Sequence, residues 1–163
     1  MRFRLKKITV VLLLLTIVWM ASVSEASAHS KTKSDMKTAH IGEETFYLVK
    51  TEKQLRLIGS EKYKMSYNYM LDANIKLKSE WIAIGDDDNP FTGTFDGNGY
   101  TISNLKITNK KVKYLGLFGY VEGGSIYNVT LKNVQLSAGK GKSVGAIVAI
   151  CYDGEIHDNK VTK

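Results

Sequence analysis

The sequence predicts an all-β protein, a parallel β-solenoid that begins with a short, helix-bearing cap. The main evidence is the spacing Ile102-x-x-Leu105-x-Ile107, which recurs from Ile126 and, more weakly, from Ile156, after steps of 24 and 30 residues. In each copy a glycine lies shortly upstream, and an Asn or Asp follows the isoleucine by two residues. Repeats of about 20 to 30 residues built from short strands and glycine turns are typical of solenoids, in which each coil adds a strand to several parallel sheets.

A second recurring element supports this fold class, because residues 115–121 match residues 144–150 at a step of 29. We expect the aliphatic side chains to stack on their equivalents inside the coil, while glycines allow turns where a Cβ would clash. Asn or Asp at the bends tolerates left-handed φ, so stacked copies should form a short polar ladder. An antiparallel sandwich is the alternative, but it does not predict repeated identical spacing. The residues assigned to the structural repeat are Gly99, Ile102, Asn104, Gly116, Gly119, Gly124, Ile126, Asn128, Gly145, Gly154 and Ile156.

Residues 1–28 have the three parts of a secretory signal peptide. Four cationic residues precede an apolar run from Ile8 to Met20, and Ala26-Ser27-Ala28 has the small-x-small form of a cleavage site. A retained membrane anchor is the alternative, although a run of about thirteen residues is shorter than the roughly 20 that span a bilayer. The protein is therefore expected to be secreted or at the cell surface, without a transmembrane segment after signal cleavage.

Two further segments precede the repeats. Residues 29–40 contain only one large aliphatic side chain and are expected to form a flexible arm. Residues 41–90 are expected to form the N-terminal cap and the leading strands. Within them Thr51 and Gln54 have the form of a capping box, which predicts a helix over residues 52–58. No helix is predicted beyond it.

Lysine dominates the charge of residues 29–163, where Lys and Arg outnumber Asp and Glu by 19 to 15 and Arg56 is the only arginine. A nucleic-acid partner is not expected, because bidentate contacts to phosphates and bases depend largely on arginine. We interpret the lysines as a solubilising face, with weak attraction to an acidic envelope polymer or glycan as the alternative. The single cysteine, Cys151, excludes an intrachain disulfide and is expected to be a small buried thiol.

Three stretches resemble the GLUG-motif repeats of bacterial secreted and surface proteins. They are GTFDGNGYTISNLKI from residue 93, LGLFGYVEGGSIYNV from residue 115 and VGAIVAICYDGEIHDNKV from residue 144. The resemblance covers roughly residues 45–163 and implies right-handed β-helix coils over residues 91–163. Such repeats occur in adhesin-like proteins, in large cell-surface proteins and beside the catalytic domain of immunoglobulin A proteases. The resemblance therefore implies an architecture and not an activity.

The last coil departs from this pattern in two ways. Asn159 stands where an aliphatic residue is expected, which predicts loose packing, and the chain reaches Lys163 inside a coil. A parallel sheet that is open at one end presents unpaired backbone groups. We expect self-association through this open C-terminal coil, unless Lys160 and Lys163 discourage pairing. A third interpretation is that the chain is the leading fragment of a longer protein.

Few side chains form a pattern that predicts catalysis, and no H-E-x-x-H zinc motif is present. Cys151 and His157 could pair across a turn, although a structural thiol is the preferred interpretation. A polysaccharide-active enzyme would need facing carboxylates, for which Asp96, the residues 86–88 and the cluster Asp153, Glu155 and Asp158 are the candidates. We expect no catalytic residue and no cofactor.

Calcium is a weak alternative for Asp86, Asp87 and Asp88, because oxygen-rich loops can hold this ion. Pro90 occupies the fifth position of a loop begun at Asp86, where an EF-hand needs an oxygen donor. A solvated acidic turn is therefore the preferred interpretation.

Aromatic side chains are the best binding candidates, because exposed rings on a solenoid face can stack on sugars or on a partner protein. Trp81 and Phe95 are expected in the core. The sequence predicts a secreted, non-enzymatic module that interacts with an extracellular protein or glycan. A carbohydrate-active β-helix enzyme and a structural fragment of a larger surface protein or protease are the alternatives. The possible ligand-facing residues are Tyr100, Tyr120, Tyr127 and Tyr152.

Overall fold

A computed structural model describes residues 35–163 and shows a parallel β-solenoid. The predicted signal peptide lies outside the described residues. The strands are β1 (Lys37–Ile41), β2 (Glu44–Val49), β3 (Asn68–Leu71), β4 (Ile75–Lys76), β5 (Thr94–Asp96), β6 (Thr101–Ser103), β7 (Lys106–Ile107), β8 (Tyr114–Leu115), β9 (Phe118–Glu122), β10 (Ser125–Tyr127), β11 (Thr130–Lys132), β12 (Gln135–Leu136), β13 (Ser143–Val144), β14 (Val148–Tyr152), β15 (Glu155–His157) and β16 (Lys160–Thr162). One helix, α1 (Glu52–Leu55), belongs to the cap.

Five sheets form the sides of the coils. Sheet A has the order β1-β2-β3-β5-β10-β15, and sheet B has the order β4-β6-β11-β16. Sheets C, D and E are the pairs β7–β12, β8–β13 and β9–β14. All pairs except β1–β2 are parallel. The predicted fold class is confirmed. Parallel stacking already begins at β2–β3, before the predicted start of the coils at residue 91.

The strand register corrects the predicted alignment of the first repeat. Ile126 lies between Phe95 and Ile156 in sheet A, as the second step of 30 predicts on one side only. Ile102 is instead paired with Leu131 in sheet B, which continues to Val161. The step of 24 residues therefore matched the wrong sides of two neighbouring coils, and the true repeat is longer.

The mistaken alignment has a physical cause, because each coil contains two bends of the same chemistry. Asn104 and Asn128 both have left-handed backbone, with φ of 63° and 55°. The true equivalent of Asn104 is Asn133, whose side-chain amide donates to the Asn104 Oδ1 at 3.4 Å. Asn128 is equivalent to Asp158, with φ of 52°. The polar ladder is confirmed for Asn104 and Asn133.

Glycine columns show the same shift of register. Gly116 and Gly145 are stacked as predicted, since a Cβ at Gly116 would lie 2.3 Å from the Gly145 carbonyl oxygen. Gly124 and Gly154 are also stacked, but Gly93 continues that column in the preceding coil. Gly99 lies instead at a left-handed turn with φ of 74°.

The core is a continuous column of side chains along the axis of the coils. An aromatic stack forms its centre, with ring centroids 6.3 Å apart for Tyr69 and Phe91, 4.9 Å for Phe91 and Phe118, and 5.2 Å for Phe118 and Phe95. The buried Trp81 indole donates to the Leu117 carbonyl at 3.0 Å. The predicted core positions of Trp81 and Phe95 are confirmed.

The cap begins earlier in the chain than predicted. β1 pairs antiparallel with β2, and the Met36 amide donates to the Tyr63 hydroxyl at 2.9 Å. The prediction of a flexible arm is therefore wrong for residues 36–40, because a backbone ladder and one buried methionine hold them; residues 29–34 lie outside the described residues. The side chain of Thr51 caps α1 as predicted, but the helix ends at Leu55.

The terminal coil is the least covered part of the solenoid. Cys151 is exposed, contrary to the prediction of a buried thiol, because no further described coil covers it. Asn159 forms two hydrogen bonds that the prediction of loose packing did not include. Its Oδ1 accepts from the Val129 amide and its Nδ2 donates to the Ile126 carbonyl, both at 2.9 Å.

The column Ile102–Leu131–Val161 provides a test of the stacking energy. Leu131 is fully buried and Val161 is 49% exposed. Leu131→Ala should lower the free energy of unfolding by about 2–5 kcal/mol, because it leaves a cavity between two coils. Val161→Ala, the control in the same column, should cost less than about 1 kcal/mol. Urea denaturation followed by circular dichroism measures both, and equal losses would contradict the described position of the core.

Candidate functional site

The four predicted ligand-facing tyrosines lie on different parts of the surface. Tyr127 is on sheet A, while Tyr120 and Tyr152 are on the two strands of sheet E. Tyr152 is 62% exposed, whereas Tyr120 is half-buried and meets Tyr114 edge-on at 6.0 Å. Tyr100 precedes β6 and packs against the core. The structure therefore does not bring the four rings together into one aromatic site.

Strand register instead produces a row of polar side chains on sheet A. Asp96, Tyr127 and His157 are consecutive partners in β5, β10 and β15. The Tyr127 and His157 rings are stacked, with centroids 5.1 Å apart and planes at 9°. The His157 Nδ1 is 2.8 Å from the Asp158 carboxylate. This arrangement directs His157 toward Tyr127 and Asp158, and the predicted alternative of a Cys151–His157 pair has no support in these contacts.

Asp96 is the buried carboxylate of this row, with 9% of its surface exposed. Its Oδ1 accepts from the Asn98 amide at 2.7 Å and from the Asn128 side chain at 3.1 Å. Burial raises the pKa of the Tyr127 phenol above its ordinary range, and the negative charges of Asp96 and Glu44 raise it further. At neutral pH the row therefore offers a protonated phenol beside a carboxylate, a pair that can hydrogen-bond to sugar hydroxyls.

The acidic turn at residues 86–88 has partners within the protein. The Asp86 Oδ1 accepts from the amides of Asp88 and Asn89 at 3.1 and 2.8 Å. The Lys113 ammonium lies 2.5 Å from Asp87 and lowers the pKa of that carboxyl. Among the described residues, no group of three His, Cys, Asp or Glu side chains is arranged to hold a metal ion. The contacts of Asp86 and Asp87 are those of an internally bonded turn.

A groove of about 280 Å³ lies beside this turn. Apolar surface from Ile82, Val112 and Tyr114 forms part of its lining, and the three aspartates form another part. Ile82 is 79% exposed, although its place in an apolar sequence pattern predicts a strand position. The groove thus combines apolar surface with carboxylate acceptors.

Two stacked loops next to this groove carry a lysine cluster that the sequence analysis did not single out. The loop over residues 108–113 joins β7 to β8, and the loop over residues 137–142 joins β12 to β13. The signal was present as the segments NKKVK and GKGK, which are separated by about one repeat. We call these two segments the lysine loops. Their lysines are Lys110, Lys111, Lys113, Lys140 and Lys142.

No helix in the described part of the chain is long and apolar enough to cross a membrane.

Comparisons with known proteins find two partial similarities. The chain is 35% identical over 105 residues to halomucin of Haloquadratum walsbyi, a match that covers 55% of this chain and 1% of halomucin. It is 29% identical over 160 residues to a putative Gly-rich membrane protein of Evansella cellulosilytica, covering 91% of this chain and 18% of that protein. The chain thus spans a small fraction of both relatives.

No family model matches the sequence, so the resemblance to GLUG repeats stays a prediction. No solved structure has a significant match.

The coupling between Asp96 and Tyr127 gives a pH-dependent prediction. Asp96→Asn should lower the pKa of the Tyr127 phenol, because it removes a negative charge that disfavours the phenolate. NMR titration of the Tyr Cζ carbons, with Tyr127→Phe to assign the resonance, measures this shift. Glu122→Gln is the control, since Glu122 is on sheet E. An unchanged Tyr127 titration in the Asp96 variant would contradict the described row.

Proposed function

We propose that this chain is a secreted, non-enzymatic β-solenoid module that binds an extracellular partner, a glycan or a protein, at the cell surface. The observation that carries the proposal is the in-register stacking, which places side chains of successive coils in rows on rigid strands. Sites on such strands hold their geometry better than sites on isolated loops. The row Asp96–Tyr127–His157 and the exposed Tyr152 are the side chains that we assign to binding on these sheets.

The similarities support a surface role. One relative is named a halomucin and the other a membrane protein, and both are much longer than this chain. A repeating, rigid module is suited to such proteins, because each coil contacts only its neighbours and can be added without disturbing the rest. The predicted signal peptide supports export of this chain by the secretory route.

Binding to immobilised glycans and matrix proteins tests the proposal. The purified protein should bind at least one member of the set saturably in 0.15 M NaCl and should retain binding at moderately higher salt. Tyr127→Ser and Tyr152→Ser should each weaken it roughly two- to tenfold, as expected for loss of an aromatic contact. Tyr67→Ser is the control, since Tyr67 is outside the strands and stacks on Tyr47. Loss of all binding at 0.15 M NaCl would reduce the interaction to general lysine electrostatics.

A carbohydrate-active enzyme is the second candidate, favoured by the buried Asp96 beside the protonated Tyr127. The same glycans serve as substrates in an assay for new reducing ends and for unsaturated products. Under our proposal no product forms. Product that disappears in Asp96→Asn would replace the binding module with an enzyme, and absence of both product and binding would leave a structural spacer.

We also propose that the terminal coil associates with a second copy of the chain. Within the described residues, β15 and β16 are paired on one side only, and Ile156 and Val161 leave apolar surface uncovered. Light scattering on a sizing column should show a mass that increases with concentration. Val161→Lys should shift the protein toward the monomer, because it adds charge to the open face. A monomer at all concentrations would contradict self-association.

A further inference from the structure

We infer that the lysine loops, together with the groove beside them, bind an acidic polysaccharide whose sugars carry carboxylates. This inference rests on the proposed extracellular binding function and names the ligand class for one surface. It differs from the interpretation of the lysines as a solubilising face, because it depends on where the fold places them and not on their number.

The fold stacks the two loops directly on each other. They leave the paired strands β7–β12 and return at the paired strands β8–β13, so consecutive coils hold both ends in register. Within the loops, the Lys142 ammonium donates to the Lys111 carbonyl at 3.4 Å. Gly139 packs on the backbone of Lys110, where a Cβ would lie 2.9 Å from the carbonyl oxygen. Neighbouring strands lie about 4.8 Å apart, so the loops form a short ridge along the axis.

The ridge has a large excess of positive charge. Lys113 pairs with Asp87, but Lys110, Lys111, Lys140 and Lys142 have no carboxylate within ion-pair distance among the described residues. Both loop segments themselves lack Asp and Glu. Ammonium groups on flexible stems act as point charges and do not demand the planar, bidentate partner that arginine prefers. A polymer with a single charge on each of many residues fits such a surface.

The groove selects a sugar over a polyphosphate. It continues from the ridge through Lys113, whose ammonium lies 5.0 Å from the centre of the Tyr114 ring. Asp86 and Asp88 in the lining would repel a densely charged phosphate chain, but their oxygens can accept hydrogen bonds from sugar hydroxyls. The exposed Ile82 can pack against the apolar face of a sugar ring. A carboxylate-bearing sugar therefore satisfies both the lysine loops and the groove.

The test compares two variants that lose the same charge. In the loop variant Lys110, Lys111, Lys140 and Lys142 are changed to Gln. In the control variant four other exposed lysines are changed to Gln, none of them ion-paired among the described residues. The ligands are polygalacturonate, a neutral dextran and inorganic polyphosphate, measured by calorimetry in 0.15 M NaCl, with circular dichroism to check folding. The control lysines are Lys37, Lys53, Lys64 and Lys76.

We expect the natural protein to bind polygalacturonate more tightly than the other two ligands. The loop variant should lose at least about tenfold in affinity and the control variant less than about twofold, because only the loops form a continuous cationic ridge. Ile82→Asp should also weaken binding by placing a repelling charge in the groove. Equal losses in the two charge variants, or tighter binding of polyphosphate, would overturn the inference. If the protein binds other extracellular ligands but not polygalacturonate, the inference fails while the proposed function stands; if it binds none, the proposed function fails.

Discussion

The whole structure depends on in-register stacking of parallel strands. Each strand of one coil donates to and accepts from its equivalent in the next, so a residue keeps the same neighbours in every coil. An inward position must then be apolar in all coils, as in the column from Ile102 through Leu131 to Val161. A bend must likewise accept left-handed backbone in each coil, which explains Asn and Asp at these positions with φ between 47° and 63°.

Stacking leaves both ends of the solenoid with unpaired groups, and the two ends resolve this differently. At the N-terminal end β1 turns antiparallel against β2, so the sheet ends in a hairpin. Beside it, Arg56 lies 4.8 Å over the Trp81 ring and donates to Glu52, which also accepts from the Lys78 amide. At the last described coil Asn159 substitutes a side-chain amide for ladder bonds. A polar residue at an inward position is stabilising there because it satisfies backbone groups that burial would otherwise strand.

The same constraint explains how much of the fold the sequence could predict. Fold class, the Thr51 cap and the core positions of Trp81 and Phe95 depend on local chemistry, which a single sequence contains. The register depends on which of two similar bends stacks on which, and the side chains at Asn104 and Asn128 are identical. Only the geometry of a full coil distinguishes them. The β1 strand was missed for a related reason, since its polar segment is held by backbone pairing to β2 and not by its own side chains.

Surface rows follow from stacking in the same way as core columns, and they explain why the candidate sites were only partly predictable. Asp96, Tyr127 and His157 are each about one repeat apart, so correct registration of the coils would have placed them together. The predicted tyrosines were chosen for residue type, and type alone does not specify a face. For the lysine loops the error was to count charges along the chain. A charge every 29 to 30 residues looks dilute in sequence, yet in a solenoid that interval is the distance to the neighbouring strand. Periodicity therefore determines the local charge density of a solenoid face, and total composition does not.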